Sequence, residues 1–97
     1  MIIDLKNSDL KDKKYMATLD DGRVFHFGSK YSNTYLDHKD DKKRENYLKR
    51  HMANNREKYL IENNIPSPSL FSAKLLWSGP NLEENVINLN KLLKRSQ

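Results

Sequence analysis

Alternating apolar and polar positions near the N-terminus predict a β-hairpin. Its two strands, residues 15–20 and 23–27, flank an Asp-Gly pair that accepts the positive φ angles of a type I′ turn. A two-residue loop of this kind pairs Leu19 with Val24 across the strands. The predicted faces of the hairpin are Met16, Phe25 and Phe27 on one side and Tyr15, Leu19, Val24 and His26 on the other.

A further strand is predicted over residues 2–5, joined to the hairpin through the polar residues 7–14. Residues 1–28 are therefore expected to form an antiparallel hairpin or a three-stranded sheet. An isolated hairpin is only marginally stable in water, so at least one of its faces needs a helix packed against it.

The pattern becomes helical over residues 39–63, which contain neither Gly nor Pro and begin close to several aspartates. Carboxylates near the first turn suit the helix dipole. With 3.6 residues per turn, the helix has two distinct sides. The side expected to face the core carries Arg44, Leu48, His51, Met52, Asn55 and Tyr59. The opposite side carries Lys39, Lys42, Lys43, Lys49, Arg50 and Arg56.

The rest of the chain predicts a connector and two helices. Residues 64–69 are rich in Pro and Ser and cannot continue a helix, because Pro lacks an amide donor and restricts the residue before it. A brief buried helix follows, and Asn81 then begins a last helix as its N-cap, with Glu84 completing a pair similar to a capping box. The apolar stripe of that helix is Leu82, Val86, Leu89 and Leu93, and its C-terminal end carries Lys91, Lys94 and Arg95.

These elements predict an α+β fold in one small basic domain, residues 1–97. The N-terminal sheet packs against the long central helix (39–63), and a short helix and a C-terminal helix (70–95) follow the connector. The predicted core residues are Leu19, Val24, Phe27, Leu48, Met52, Tyr59, Leu60, Leu76, Trp77, Val86 and Leu89.

Charge is concentrated in the central helix. The chain carries 18 Lys and Arg against 13 Asp and Glu, a net charge of +5. Residues 39–58 hold eight basic and four acidic side chains, which leaves +4 in this segment alone. The basic side of the helix is therefore the first candidate for binding, because Lys and Arg spaced over several turns can follow a phosphate backbone. The alternatives are a solvated outer surface and an acidic protein or lipid partner.

Several classes of function are not expected. The absence of Cys excludes disulfides, thiol catalysis and cysteine-based zinc sites. The three glycines are scattered and form no phosphate-binding loop, and the serines near the prolines lack the context of a nucleophile. No apolar run is long enough to span a bilayer, and the start of the chain lacks the layout of a signal peptide. No enzymatic activity, cofactor or metal is therefore predicted.

A second candidate is the polar group Arg44, His51 and Asn55, which shares the apolar side of the helix. Polar side chains placed there need partners when they are buried. One hypothesis makes His51 an acid/base residue or a ligand. The favoured interpretation is a hydrogen-bonded network that ties the loop from Tyr31 to His38 back to the helix.

A third candidate is a metal site, or a nuclease of the HNH type, formed by His38, the neighbouring aspartates and His51. Such nucleases pair a catalytic His with a later metal-binding His. In those motifs a loop holding an Asn separates the two elements, whereas a charged helical run is predicted between His38 and His51. This nuclease is kept only as a remote alternative.

The central part of the chain combines a Phe-Gly strand end, a Tyr-containing loop, His-Lys-Asp, a Tyr-x-x-Arg-His helix and a later Pro, Ser and Leu-Trp pair. The residues in question are Phe27, Gly28, Tyr31, Tyr35, His38, Lys39, Asp40, Lys43, Arg44, Tyr47, Arg50, His51, Pro68, Ser72, Leu76 and Trp77. With these features the chain resembles a family of small uncharacterised basic proteins of nucleocytoplasmic large DNA viruses. The similarity covers about residues 14–90.

The resemblance implies a viral origin and a compact domain without enzymatic activity. We accordingly expect a minor capsid component that docks on other capsid proteins, located in the virion and inside the host cell. The alternative is a weakly sequence-selective protein that binds viral DNA or RNA through the basic helix side.

Overall fold

The computed structural model describes residues 1–95, except the Arg95 side chain, and has the predicted α+β fold. Three antiparallel strands form one sheet in the order β1-β2-β3, and all helices follow them in the chain. The strands are β1 Ile2–Asn7, β2 Lys13–Leu19 and β3 Val24–Ser29. The helices are α1 Tyr35–His38, α2 Asp41–Met52, α3 Asn55–Glu62, α4 Pro68–Phe71, a π-helical turn Ser72–Leu76 and α5 Leu82–Arg95.

The hairpin exists, but its predicted register is wrong by one residue. Thr18, and not Leu19, pairs with Val24. The amide of Leu19 donates to the carbonyl of Arg23 at 2.9 Å, and Gly22 has a φ of 91°. The loop therefore has three residues and ends in a left-handed Gly, which is the arrangement of a type I turn with a bulge. The shift moves Val24 to the solvent side of the sheet, where it is 47% exposed.

The predicted continuous helix over residues 39–63 is wrong, because α2 ends at Met52 and the Asn54 side chain caps a new helix, α3. The first of these helices also begins at Asp41 and not at Lys39. Lys39 has a φ of 52° and ends α1, and the Asp40 side chain caps α2 by accepting from the amides of Lys42 and Lys43. Asp and Asn side chains satisfy the free amides of a new helix and so favour a restart.

The sheet is covered by the C-terminal segments and not by the central helix. None of the α2 residues is fully buried. Phe71 of α4 packs on Phe25 and Phe27, with ring centroids 5.3 and 5.7 Å away. The core cluster consists of Ile2, Ala17, Leu19, Phe27, Leu70, Phe71, Leu75, Leu76, Leu89 and Leu93.

The predicted core list is partly confirmed. Leu19, Phe27, Leu76 and Leu89 are buried. Val24 and Tyr59 are exposed, so these two predictions are wrong. The other members are half-buried: Leu48, Met52, Leu60, Trp77 and Val86.

Helix α5 holds both the start of the sheet and the π-turn. The side-chain amide of Asn90 binds the backbone of Ile2 twice. Its Oδ1 accepts from the Ile2 N–H at 2.7 Å, and its Nδ2 donates to the Ile2 carbonyl at 3.1 Å. The buried side chain of Asn85 donates to the carbonyls of Leu75 and Gly79, both at 2.9 Å. The predicted cap is confirmed, since Asn81 Oδ1 accepts from the amide of Glu84 at 3.0 Å.

Two predictions fall on residues outside the described part. These are the interaction of the Arg95 side chain with the helix end, and the last two residues of the 1–97 domain. No described helix is both long enough and apolar enough to cross a membrane.

Candidate functional site

Four rings form a continuous column on one side of α2. The Tyr47 and Trp77 rings are stacked, with centroids 4.2 Å apart and an interplanar angle of 5°. His51 lies 4.1 Å from Tyr47, and His38 lies 5.3 Å from Trp77. We call His38, Trp77, Tyr47 and His51 the ring column. It joins α1, α2 and the residue that follows the π-turn.

Local geometry holds the members of the column in place. Tyr47 and His51 are four residues apart on α2, so their side chains are neighbours on the helix surface. The Arg44 Nε donates to the Trp77 carbonyl at 2.8 Å, which fixes the backbone at that ring. The His38 Nδ1 accepts from the amide of Asp40 at 3.0 Å.

The far end of the column spans the break between α2 and α3. The His51 Nδ1 lies 3.0 Å from Glu57 Oε1, and the Ser69 hydroxyl donates to the same oxygen at 3.3 Å. This contact joins α2 to α3, two helices that were predicted to be one. It also gives the Glu57 carboxylate a partner in His51.

Burial and nearby groups perturb the acid–base properties of the tyrosines here. Burial and, to a smaller extent, the Glu57 charge raise the pKa of Tyr47 to about 12. The pKa of Tyr35 is also raised, because its hydroxyl donates a 2.6 Å hydrogen bond to Asp41. Both phenols therefore stay neutral at physiological pH.

Backbone amides hold the carboxylates at the neighbouring helix starts. The amide of Thr34 lowers the pKa of Asp37, and the amides of Lys43 and Lys42 lower that of Asp40. Both carboxylates are therefore ionised at neutral pH and are engaged as helix caps.

Two adjoining clefts run beside the ring column. The larger has a volume of about 380 Å³ and lies between the loop at 28–34 and α2; the smaller measures about 260 Å³ and extends toward His38 and Lys43. Asn33, Tyr47, Arg50 and Trp77 line both, so the clefts adjoin. We call the pair the groove.

The groove is electropositive. Lys43 and Arg50 line it, and none of the described residues along it carries a carboxylate. On the outer side of the helices the pattern differs, because Lys49 lies 3.6 Å from Glu45 and Lys58 lies 3.8 Å from Glu62. The groove side of α2 therefore presents the cations Lys43 and Arg50, while the carboxylates of Asp40, which interacts with Lys43, and Glu57, which contacts His51, lie outside its lining.

The structure separates the six predicted basic residues. Only Lys43 and Arg50 line the groove, and Lys42 and Lys49 are exposed elsewhere on α2. Lys39 lies in the turn before α2, and Arg56 lies on α3. The prediction that all six share one helix face is therefore wrong, because Lys39 precedes α2 and Arg56 lies beyond the break at residues 53–54.

The predicted polar network is also rearranged. Tyr31 is 77% exposed, and Asn55 is an exposed residue at the start of α3. Arg44 and His51 are hydrogen-bonded, but to the Trp77 carbonyl and to Glu57. His38 contacts the Trp77 ring, so two of the predicted residues belong to the ring column.

Sequence reasoning missed the groove. It assigned Trp77 to the core and gave Tyr47, Asn33 and Asn46 no role at the site. One signal was present, since residues 43, 46, 47 and 50 follow helical spacing and combine two cations with an aromatic ring and an amide. The contact with Trp77 has no sequence signature.

The structure shows no cluster that suits a metal. Within residues 1–95 no group of three or more His, Asp or Glu side chains is placed to hold an ion. His38 and His51 lie at opposite ends of the ring column with two rings between them, so they do not share a ligand site.

Comparison with known proteins gives a family and no activity. No curated protein and no solved structure is detectably similar to the chain. Residues 3–51 match a family of unknown function, DUF5754. This match spans the sheet and α2 almost completely, so it includes Lys43, Tyr47 and Arg50 but not Trp77. Because the match covers half of the sequence, the chain belongs to the DUF5754 family.

Proposed function

We propose that this protein binds nucleic acid, with the groove taking the sugar–phosphate backbone. The observation that carries the proposal is the charge of the groove: Lys43 and Arg50 line it and no described carboxylate does. In a chain with 13 acidic residues, such a segregation of charge favours an anionic ligand.

The shape of the site supports a polymer as the ligand. The two clefts adjoin along α2, where Lys43 and Arg50 are seven residues apart on one helix. Phosphates bound by these cations would release condensed counterions, which supplies affinity without reading the sequence. Selectivity among sequences is therefore weak.

The expected role as a minor capsid component remains a prediction that rests on the viral resemblance. Capsid proteins would be partners of the same basic surface if they present acidic patches. The virion location depends on that hypothesis as well. A protein inventory of purified virions would test it, and absence of the chain from virions would contradict it.

The nucleic-acid proposal is tested by the anisotropy of a labelled oligonucleotide of about 12 nucleotides, a length within the usual site size. The double variant Lys43→Gln/Arg50→Gln is compared with the matched variant Lys49→Gln/Lys58→Gln, whose lysines face glutamates. Both variants remove two positive charges, so net charge alone cannot separate them.

We expect the groove variant to lose roughly tenfold or more in affinity and the matched variant to lose less than about threefold. Equal losses in the two variants would indicate a diffuse electrostatic attraction and contradict the groove. No binding of the native chain at roughly 50 mM salt would contradict nucleic-acid binding altogether.

A further inference from the structure

The larger cleft differs in chemistry from the smaller one. Its walls include the apolar or aromatic side chains of Leu76, Tyr47 and Trp77. The other described lining groups are mostly neutral hydrogen-bonding side chains, namely Ser29, Ser32, Asn33, Thr34 and Ser72. Arg50 is the only Lys or Arg among the described residues of this cleft.

This lining does not suit a phosphate, which is best held by several cations and amide donors. It suits a flat, neutral group with hydrogen-bonding edges. A volume of about 380 Å³ is within the range of clefts that hold small organic ligands. A nucleobase has this chemistry, since it offers a flat apolar surface to Leu76 and to the edges of the Tyr47 and Trp77 rings, whose faces pack within the ring column, and it offers donors and acceptors to hydroxyls and amides.

We infer that the larger cleft receives an unpaired nucleobase, and that Lys43 and Arg50 hold the phosphate next to it. The inference rests on the proposed nucleic-acid binding and deepens it to single strands. The smaller cleft, lined by His38, Lys43, Asn46 and Arg50, is the cationic side of the same groove. Arg50 lines both clefts, so it lies where base and backbone meet.

The cleft is formed before any ligand binds, because its loop is anchored. The Lys14 Nζ donates to the Ser32 carbonyl at 2.7 Å, and the amide of Lys30 donates to the Asp12 carbonyl at 3.1 Å. At the base of the loop Gly28 has a φ of 78°, and a Cβ built there would lie 2.9 Å from Leu76 Cδ1. Because the loop is already ordered, binding does not lose the conformational entropy of fixing it.

A duplex does not satisfy this site. Its bases are stacked and paired, and delivering one to the cleft requires that the base be unpaired and unstacked first. The same phosphates without a free base would engage only Lys43 and Arg50. The structure therefore assigns a single-stranded nucleic acid as the ligand class. A binding experiment decides whether DNA or RNA is preferred.

The test compares four ligands of equal length on the full chain: oligo-dT, oligo-rU, an abasic strand and a hairpin duplex. Trp77 is the only Trp in the sequence and lines the cleft, so its emission reports directly on the site. We expect oligo-dT or oligo-rU to bind on the order of tenfold tighter than the abasic strand and the duplex. Only the strands with bases should change the Trp77 emission.

The outcomes separate the two proposals. If the abasic strand binds as tightly as oligo-dT and oligo-rU, the base site is wrong and phosphate binding stands. If none of the four binds, the proposed function fails and the base site fails with it. A comparison of oligo-dU with oligo-rU, which carry the same base, assigns the preferred sugar.

A variant that narrows the cleft gives a second, independent readout. Ser32 is exposed and lines the larger cleft but not the smaller one, so Ser32→Leu fills the base site without entering the core or the phosphate side. We expect this variant to lose the preference for strands with bases while keeping its affinity for the abasic strand. Asn88→Leu, which adds the same side chain on the exposed side of α5, is the control. An unchanged preference in Ser32→Leu would overturn the inference.

Discussion

The rings of Tyr47 and Trp77 lie parallel at 4.2 Å and connect the first half of the chain to the second. Tyr47 belongs to α2, which has no fully buried residue, and Trp77 follows the π-turn that packs in the core. This stack, together with the hydrogen bond from Arg44 to the Trp77 carbonyl, holds the basic helix beside the sheet. The groove exists because of that attachment.

Removing the Tyr47 ring should therefore destabilise the fold. We expect Tyr47→Leu to lower the free energy of unfolding by about 1–2 kcal/mol, because stacked rings contribute beyond the area they bury. Tyr47→Phe keeps the ring and should cost less than about 1 kcal/mol. Urea unfolding measures both, with Tyr59→Leu as an exposed control. If Tyr47→Leu loses no more unfolding free energy than Tyr59→Leu, the Tyr47–Trp77 stack does not stabilise the fold.

Stability should fall in alkaline solution through Tyr47. Its pKa is about 12 in the folded chain against 10.0 for a free tyrosine, so folding favours the protonated phenol. The resulting stabilisation is complete below pH 10 and is lost as pH rises through about 12, a total on the order of 2 kcal/mol.

The measurement is urea unfolding between about pH 9 and pH 11.5, with Tyr47→Phe beside the native chain. The other tyrosines and the lysines titrate in both proteins, so their effects cancel in the difference. The native chain should lose more stability than the variant over this range. A difference that stays constant with pH would contradict the raised pKa.

Asn85 should be one of the most sensitive polar positions. It is buried and donates to two carbonyls, those of Leu75 and Gly79. We expect Asn85→Ala to cost about 1–3 kcal/mol, because it leaves buried acceptors without a donor. The exposed Asn88→Ala on the same helix should change stability by less than about 0.5 kcal/mol. Similar losses of stability in the two variants would show that any substitution in α5 has this effect, and would contradict a specific role of the Asn85 hydrogen bonds.

The two glycines with positive φ should respond differently to alanine. Gly22 has a φ of 91° and open space where a Cβ would stand, whereas a Cβ on Gly28 would meet Leu76 Cδ1 at 2.9 Å. Gly28→Ala adds a clash to the backbone strain, so its cost should exceed about 1 kcal/mol and exceed that of Gly22→Ala. Thermal unfolding of the two variants compares them. The reverse order would contradict the close approach of β3 to Leu76.

Salt dependence should identify the phosphate contacts. The slope of log affinity against log salt falls by about one for each cation removed from a phosphate. We expect this change for Lys43→Gln and for Arg50→Gln, and almost none for Lys49→Gln, which lies beside Glu45. Titrations with oligo-dT over a range of salt concentrations provide the slopes. Equal slopes for all three variants would contradict a localised site.

Local signals carried much of the fold. The strands and the Asn81 cap depend on residues close in the chain, so propensity and turn chemistry were enough to predict them. The connector ends two residues earlier than predicted, because Ser67 caps α4 and Pro68 begins it. The break at Asn54 also had a local signal, since its side-chain oxygen accepts from the backbone amide of Glu57 three residues later. Strong helix formers on both sides of Asn54 made the break hard to recognise, because the helical spacing of apolar residues continues from α2 into α3.

The hairpin register is a feature that local sequence does not determine. A loop that begins at Asp20 and one that begins at Asp21 both use Gly22 in a left-handed conformation. Only the packing of Ala17, Leu19 and Phe27 under the C-terminal segments distinguishes them, because a slip of one residue exchanges the faces of the sheet.

The sequence by itself determined the α+β class, the order of the elements and the concentration of positive charge around residues 39–58. Tertiary structure alone determined which of those cations share a site. Lys43 and Arg50 face a common groove because Tyr47 meets Trp77, a residue from the other half of the chain. Contacts between distant residues depend on the packing of the whole core, and neither periodicity nor composition encodes them.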